Sequence, residues 1–375
     1  MIDKERIKEM FLDLVRINSP SKHERGVADY IKPKLEAMGF IVHEDDAGER
    51  TGGDTGNVIA LKKGALPGGK RIFLGGHMDT VEPTDKLNIV IDGDEISSDG
   101  TTILGADDKG GLTVILEGLR SVIEDGKPHA DIQVIFNVSE EIGLLGSREM
   151  DYSRIQADYG FIFDTQRPVC CITWSAPSHV NMLVEITGRA AHAGIAPEKG
   201  VSAIVAASNA ISKTKLGRVD PETTANVGVI EGGKARNIVP DRVSVKAEAR
   251  SRDESKLAAQ VEHMKSVFEE EAAKIGAKAD VTVEKEYWTY RWTENDDIVK
   301  LAVAAVRRIG LEPAFIDGGG GSDANVYNRA GIPALVIGVG FDGAHSSSEH
   351  VAVSDLAKCA EFVAALIETA AGDQP

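Results

Sequence analysis

Arg71-Ile72-Phe73-Leu74-Gly75-Gly76-His77-Met78-Asp79-Thr80 puts a short apolar run directly before two glycines, a histidine and an aspartate. Such a run, bounded by turn residues, reads as a buried strand. In open α/β sheets, ligands gather just beyond the carboxyl ends of the strands. An imidazole at that edge can offer one nitrogen to a metal, while an aspartate two residues later accepts the other ring N–H and fixes the tautomer. Taken alone the pair carries little, because a histidine near a strand end is commonly structural.

The pattern recurs outward from this point. Leu104-Gly105-Ala106-Asp107-Asp108-Lys109-Gly110-Gly111 places two carboxylates in a turn ahead of a helix. Helix capping explains one of them and leaves the other over. Ser139-Glu140-Glu141-Ile142-Gly143 follows the apolar run 132–138, Asp164 follows 160–163, and His345 follows 334–339. Each phrase has a plain reading as a solvated loop. Together they deliver His77, Asp107, Glu140, Glu141, Asp164 and His345 to the ends of strands of one inferred sheet. Carboxylates and imidazoles without a thiolate suit zinc or another divalent transition metal. There are enough of them for two ions sharing one carboxylate.

The remaining sequence frames this edge. Apolar spacing predicts helices over 5–15, 24–38 (with Pro33 as a point of kinking), 111–123 and 298–309. Short strands alternating with helices predict an α/β layer with a mostly parallel sheet. The middle of the chain reads strand 180–187, helix 202–216, strands 223–230 and 242–249, helix 254–275, strand 279–284. That order is the split βαβ, ferredoxin-like arrangement. The expected organisation is an α/β domain from 1–178 and 291–375 interrupted by an α+β domain at 179–290. The aromatic stretch 287–292 is expected to pack the hinge, and Gly318–Gly321 to mark a close backbone approach.

Composition narrows the function. The 375 residues carry 42 Lys+Arg and 59 Asp+Glu, a net charge of −17. That excess of acid argues against nucleic acid or an anionic membrane as partner. Three cysteines, two of them adjacent, make no disulfide framework, and residues 1–10 are too charged for a signal peptide. A cytoplasmic location is expected.

Taken in order along the whole chain, GHMDT, LGADDKGG, SEEIG, the later Asp164, AHSSSEH and the inserted domain resemble the M20 family of dinuclear zinc peptidases. The resemblance is greatest to its tripeptide aminopeptidase branch, peptidase T and peptidase T-like proteins. It implies a zinc-exopeptidase-type catalytic domain with an inserted lid and dimerisation domain. It implies two Zn2+ per subunit, with Co2+ or Mn2+ as alternatives: His77, Asp107 and Asp164 on one ion, Asp107, Glu141 and His345 on the other. Asp79 would orient His77, and Glu140 would be the general base toward a water bridging the ions. A cis peptide between Asp107 and Asp108 is implied as well. His192, Asn237 and Arg250 map onto the family's substrate-binding residues, the first two reaching the site from the partner subunit of a homodimer and Arg250 gripping a substrate carboxylate. The chain departs from the family at Thr165, where Gly is frequent, and at Ser348, where Asn is common. The implied reaction is hydrolysis of a peptide bond in short peptides, with N-acyl amino-acid deacylase and carboxypeptidase as alternatives. A non-catalytic binding protein has no use for the carboxylate of Glu140 beside metal ligands, and a phosphatase-type hydrolase would need a basic cluster that the sequence does not place there.

Overall fold

The structure, a computed structural model, describes residues 1–66 and 68–372. The chain forms two compact units, Met1–Trp174 with Trp292–Gly318 and Ser322–Pro375, and Ser175–Arg291 with Gly319–Gly321. These limits shift the expected boundaries by a few residues. Gly319–Gly321 group with the second unit because the Gly321 backbone lies against the Tyr287 ring, where a Cβ would have no room.

The first unit is built on a mixed sheet. Its centre is parallel: Ile132–Asn137, Ile72–His77, Tyr159–Thr165 and Ala334–Gly338 lie side by side in that order. Antiparallel strands flank it, with Val58–Lys62 and Ile41–Glu44 on one side and Ile172–Ala176 on the other. The central strands are buried along most of their length, as expected of parallel strands covered on both faces. Helices Lys4–Arg16, Ala106–Glu124, Val353–Ala370 and Asp297–Arg308 pack against one another, and Ala106–Glu124 also lies on the central strands. Because Ala106–Glu124 is covered by both helices and sheet, it is buried nearly all round, including Asp108, Lys109 and Glu117. Pro33 is accommodated inside the single helix Arg25–Ala37. Fully buried Phe73, Phe136, Phe161, Phe163 and Phe362 anchor this core, each worth about 1.5–3 kcal/mol of transfer free energy.

The second unit is an antiparallel sheet in the order Thr223–Gly232, Arg242–Ser251, Ser178–Thr187, Lys278–Tyr287. Helices Ala203–Lys213 and Glu254–Lys274 cover one face, the βαββαβ arrangement predicted from the sequence. Alternation is clear in Ser178–Thr187, where Val180, Met182, Val184 and Ile186 turn inward and Asn181, Leu183 and Glu185 outward. Their inner partners include Leu257, Met264 and Phe268 of the long helix.

Tyr287 and Tyr290 are buried, and the Trp292 indole donates to the Ala334 carbonyl at 3.1 Å, so the aromatic stretch packs. No helix among the described residues is long and apolar enough to cross a membrane.

Candidate metal centre

Four parallel strands point their carboxyl ends the same way, and each delivers a donor. His77 ends its strand, Glu140 and Glu141 follow Ile132–Asn137, Asp164 is the last residue but one of its strand, and His345 comes in the loop after Ala334–Gly338. Asp107 arrives differently, from the first turn of helix Ala106–Glu124, where it keeps non-helical dihedrals (φ −83, ψ 106). The Asp107–Asp108 peptide is cis.

Three triplets of donor atoms lie close together, each within 4.8 Å of one another: His77, Asp107 and Asp164; Asp107, Glu141 and His345; and His77, Glu140 and Glu141. The first two share Asp107. His77 Nε2 stands 3.2 Å from Asp107 Oδ1 and 3.6 Å from Asp164 Oδ1. His345 Nε2 stands 3.1 Å from Glu141 and 3.4 Å from Asp107 Oδ2. The third triplet brings Glu140 within the same reach.

The charges are unbalanced. Four carboxylates, of Asp107, Glu140, Glu141 and Asp164, meet only two imidazoles. Burial pushes Glu140 well above the usual carboxylate range, with Asp164 and Glu141 adding like charge against the pull of His77. Burial likewise raises Asp164 to about 7 and lifts Glu141. Asp107 is the exception: burial opposes its ionisation, but hydrogen bonds from His345 and His77 overcome it and hold its carboxyl far down. His345 is raised to about 10 by its hydrogen bonds to Asp107 and Glu141. A hard, oxygen-rich and negatively charged donor set of this kind fits divalent cations, whose charge would offset the crowding.

The surrounding residues hold the donors in place. His77 Nδ1 faces the Asp79 carbonyl at 2.9 Å and its carboxylate at 3.3 Å, so the ring nitrogen is oriented chiefly by backbone. The Asp79 carboxylate accepts the backbone N–H of Glu140 at 3.0 Å and of Glu141 at 3.1 Å, with the Ser21 hydroxyl at 2.6 Å. The His-x-Asp spacing points to His77 alone and carries no sign of this second task. Asp108 is fully buried and accepts from the N–H of Gly111, a helix-capping bond, and from the N–H of His77, each at 3.1 Å, which leaves Asp107 as the carboxylate that capping does not explain. A Cβ on Gly76 or Gly111 would fall on the Asp108 carboxylate, which explains the glycine directly before His77 and the second glycine after Lys109. Asp323 is a buried residue in the first turn of helix Asp323–Arg329, which Ser322 caps, and burial raises its carboxyl to about 7.

The three other candidates belong to the second unit. His192 forms a bridge with Ile238, and its Nδ1 accepts from the Gly194 N–H at 3.2 Å. The Asn237 carbonyl accepts from Ala193 N–H at 2.9 Å, so the two candidate-bearing loops are tied together. Arg250 lies on strand Arg242–Ser251, where its guanidinium donates to Glu248 at 3.0 Å.

The model of peptidase family M20/M25/M40 matches residues 73–369. An aminopeptidase PepT from Bacillus cereus has a crystal structure that superposes with a TM-score of 0.92 at 43% identity, covering 99% of both chains. A tripeptidase from Staphylococcus aureus superposes with a TM-score of 0.95 at 39% identity, covering 99% of this chain and all of the other. Carboxypeptidase G2 from a Pseudomonas species is 31% identical over 94% of this chain and 86% of its own length.

Proposed function

The chain belongs to peptidase family M20/M25/M40, and from that premise we propose that this hydrolase is a dinuclear aminopeptidase releasing the first residue of tripeptides. The observation that carries the metal reading is the pair of donor triplets sharing Asp107. Near full-length likeness to a tripeptidase and to an aminopeptidase supports the substrate class.

His77, Asp107 and Asp164 would hold one ion and Asp107, Glu141 and His345 the other, zinc being the metal that best suits the donors, with Co2+ or Mn2+ as substitutes. Bound there, the ions supply Lewis-acid chemistry, acidifying a water from about 15.7 toward neutrality and polarising a carbonyl. Glu140, buried beside both triplets and needed by neither, takes the proton from the attacking water and passes it to the departing amine. Asp79 keeps Glu140 and Glu141 at fixed height through their amides, so base and ligand do not exchange places. His192, Asn237 and Arg250 bind the substrate, the first two across a homodimer formed through the second unit, which also acts as a lid. The protein works in the cytoplasm.

A carboxypeptidase is the second reading, favoured by the likeness to carboxypeptidase G2; Arg250 serves either, since both substrates end in a carboxylate. Turnover of a tripeptide, its amidated form, a dipeptide and an N-acetyl amino acid, side by side with added Zn2+, tests the choice. Release of the first residue from the tripeptide is expected. Preferred cleavage of the last residue, or of the N-acetyl compound, would replace the reading.

A further inference from the structure

Glu349 is fully buried and sits four residues beyond His345. Its carboxylate reaches across the chain to a different element. One oxygen accepts the Gly105 N–H at 2.6 Å and the other the Asp107 N–H at 2.9 Å. These are opening amides of helix Ala106–Glu124, which have no partners within the helix. Gly105 stands at the first cap position with φ +80 and no side chain to offer, and Asp108 caps the helix only beyond the non-helical pair Asp107 and Asp108, at the Gly111 N–H, so the amides of the opening turn are left to Glu349. The loop that brings Glu349 is itself tied down: Glu349 N–H donates to the Ser346 carbonyl at 3.1 Å, and the Ser346 hydroxyl to the Gly343 carbonyl at 2.7 Å.

We propose that Glu349 is a positioning residue for the metal pair, joining the loop that carries His345 to the turn that carries Asp107 and so setting the separation of two donors in one triplet. The device is repeated around the site. Asp79 clamps the amides of Glu140 and Glu141, and Asp108 clamps that of His77. Charge-assisted bonds to N–H groups are about twice as strong as neutral ones, which suits a brace that must hold donors against their mutual repulsion. A helix cap without consequence for the site would stabilise the fold and leave metal binding untouched, and that difference is measurable.

The inference rests on the reading of the triplets as a two-metal site. The full-length chain, stripped with a chelator, is titrated with Co2+, and the melting of the metal-free protein is followed in parallel. Wild type takes up two equivalents. E349Q cannot accept both amides, and is expected to bind at least one equivalent about 10- to 100-fold more weakly, while its metal-free form still melts cooperatively. E349D, which keeps the charge and both acceptors on a shorter arm, is expected to bind more tightly than E349Q. Wild-type affinity for both equivalents in E349Q overturns the proposal, as does an E349D no better than E349Q. Loss of cooperative melting in metal-free E349Q also overturns it, since Glu349 would then hold the fold rather than the site. Failure of the wild type to bind Co2+ would instead overturn the two-metal reading itself.

Discussion

Each unit contains a cluster of charged side chains, and the two are balanced differently. In the first unit, four carboxylates surround His77 and His345, and burial drives Asp164 up to about 7 and Glu140 well above its ordinary range. In the second, His179 lies between Glu248 at 3.1 Å and Glu286 at 2.6 Å, and Arg250 donates to Glu248 at 3.0 Å. There two carboxylates meet one guanidinium and an imidazole that, against burial, its hydrogen bonds to both carboxylates push up. Hydrogen bonds from His179, resisted by burial and helped by Arg250, draw Glu248 down to about 2. A cluster that completes its own charge is structural or holds a side chain in place. One with excess negative charge under burial is relieved by taking up protons or by holding a cation.

Chelation should therefore separate the two regions most sharply. Removing metal is expected to abolish hydrolysis, with Zn2+ restoring it, and to lower the melting temperature. A ligand at 100 times its Kd contributes about 2.7 kcal/mol to the folded state. Amide exchange in strands Ser178–Thr187 and Lys278–Tyr287 should be unchanged; slower exchange there on adding metal would mean that the second cluster also takes an ion.

Within the first cluster, Glu140→Gln is expected to keep the metal content and cut kcat by about 10²- to 10⁴-fold, the usual weight of a general base. Metal analysis beside kinetics checks this. Undiminished turnover would assign the base elsewhere, and lost metal would favour the triplet of His77, Glu140 and Glu141.

Gly76→Ala probes the support beneath the donors. Its Cβ would meet the Asp108 carboxylate, and overpacking of this kind costs about 1–3 kcal/mol. Urea unfolding measures it. A stability equal to wild type would show that Asp108 can move and that its bond to the His77 amide is dispensable.

The smallest effect should come from Glu248→Gln. The folded carboxyl is depressed to about 2, below an unfolded value of about 4.3. Its stabilisation is complete above pH 4.3 and is lost as pH falls through 2. The variant should lower stability near neutrality and flatten the acid limb between those values in thermal melts. An unchanged acid limb would mean that the second cluster is not held by charge.

Much of this was legible in the amino-acid order. The period of apolar residues distinguished parallel strands from the alternating strands of the second unit, because burial on two faces and on one leave different patterns. The strand-end phrases around His77, Glu140, Asp164 and His345 stood out because charge directly after an apolar run has few structural uses. Asp107 and Asp108 illustrate the limit. They are adjacent and chemically identical, yet one faces the donors and the other turns inward to the amides of His77 and Gly111.

Local sequence determines which backbone conformations and which buried faces are favourable, since propensity and hydrophobic burial act over a few residues. That was enough to predict a mostly parallel α/β layer with an inserted α+β segment, and to propose the strand ends as the place for chemistry. Whether Glu349 caps an amide 242 residues away, or Asp79 holds a glutamate pair as well as a histidine, depends on distances between segments far apart in the chain. Only the packed tertiary structure sets those distances, because a hydrogen bond forms or fails over a few tenths of an ångström.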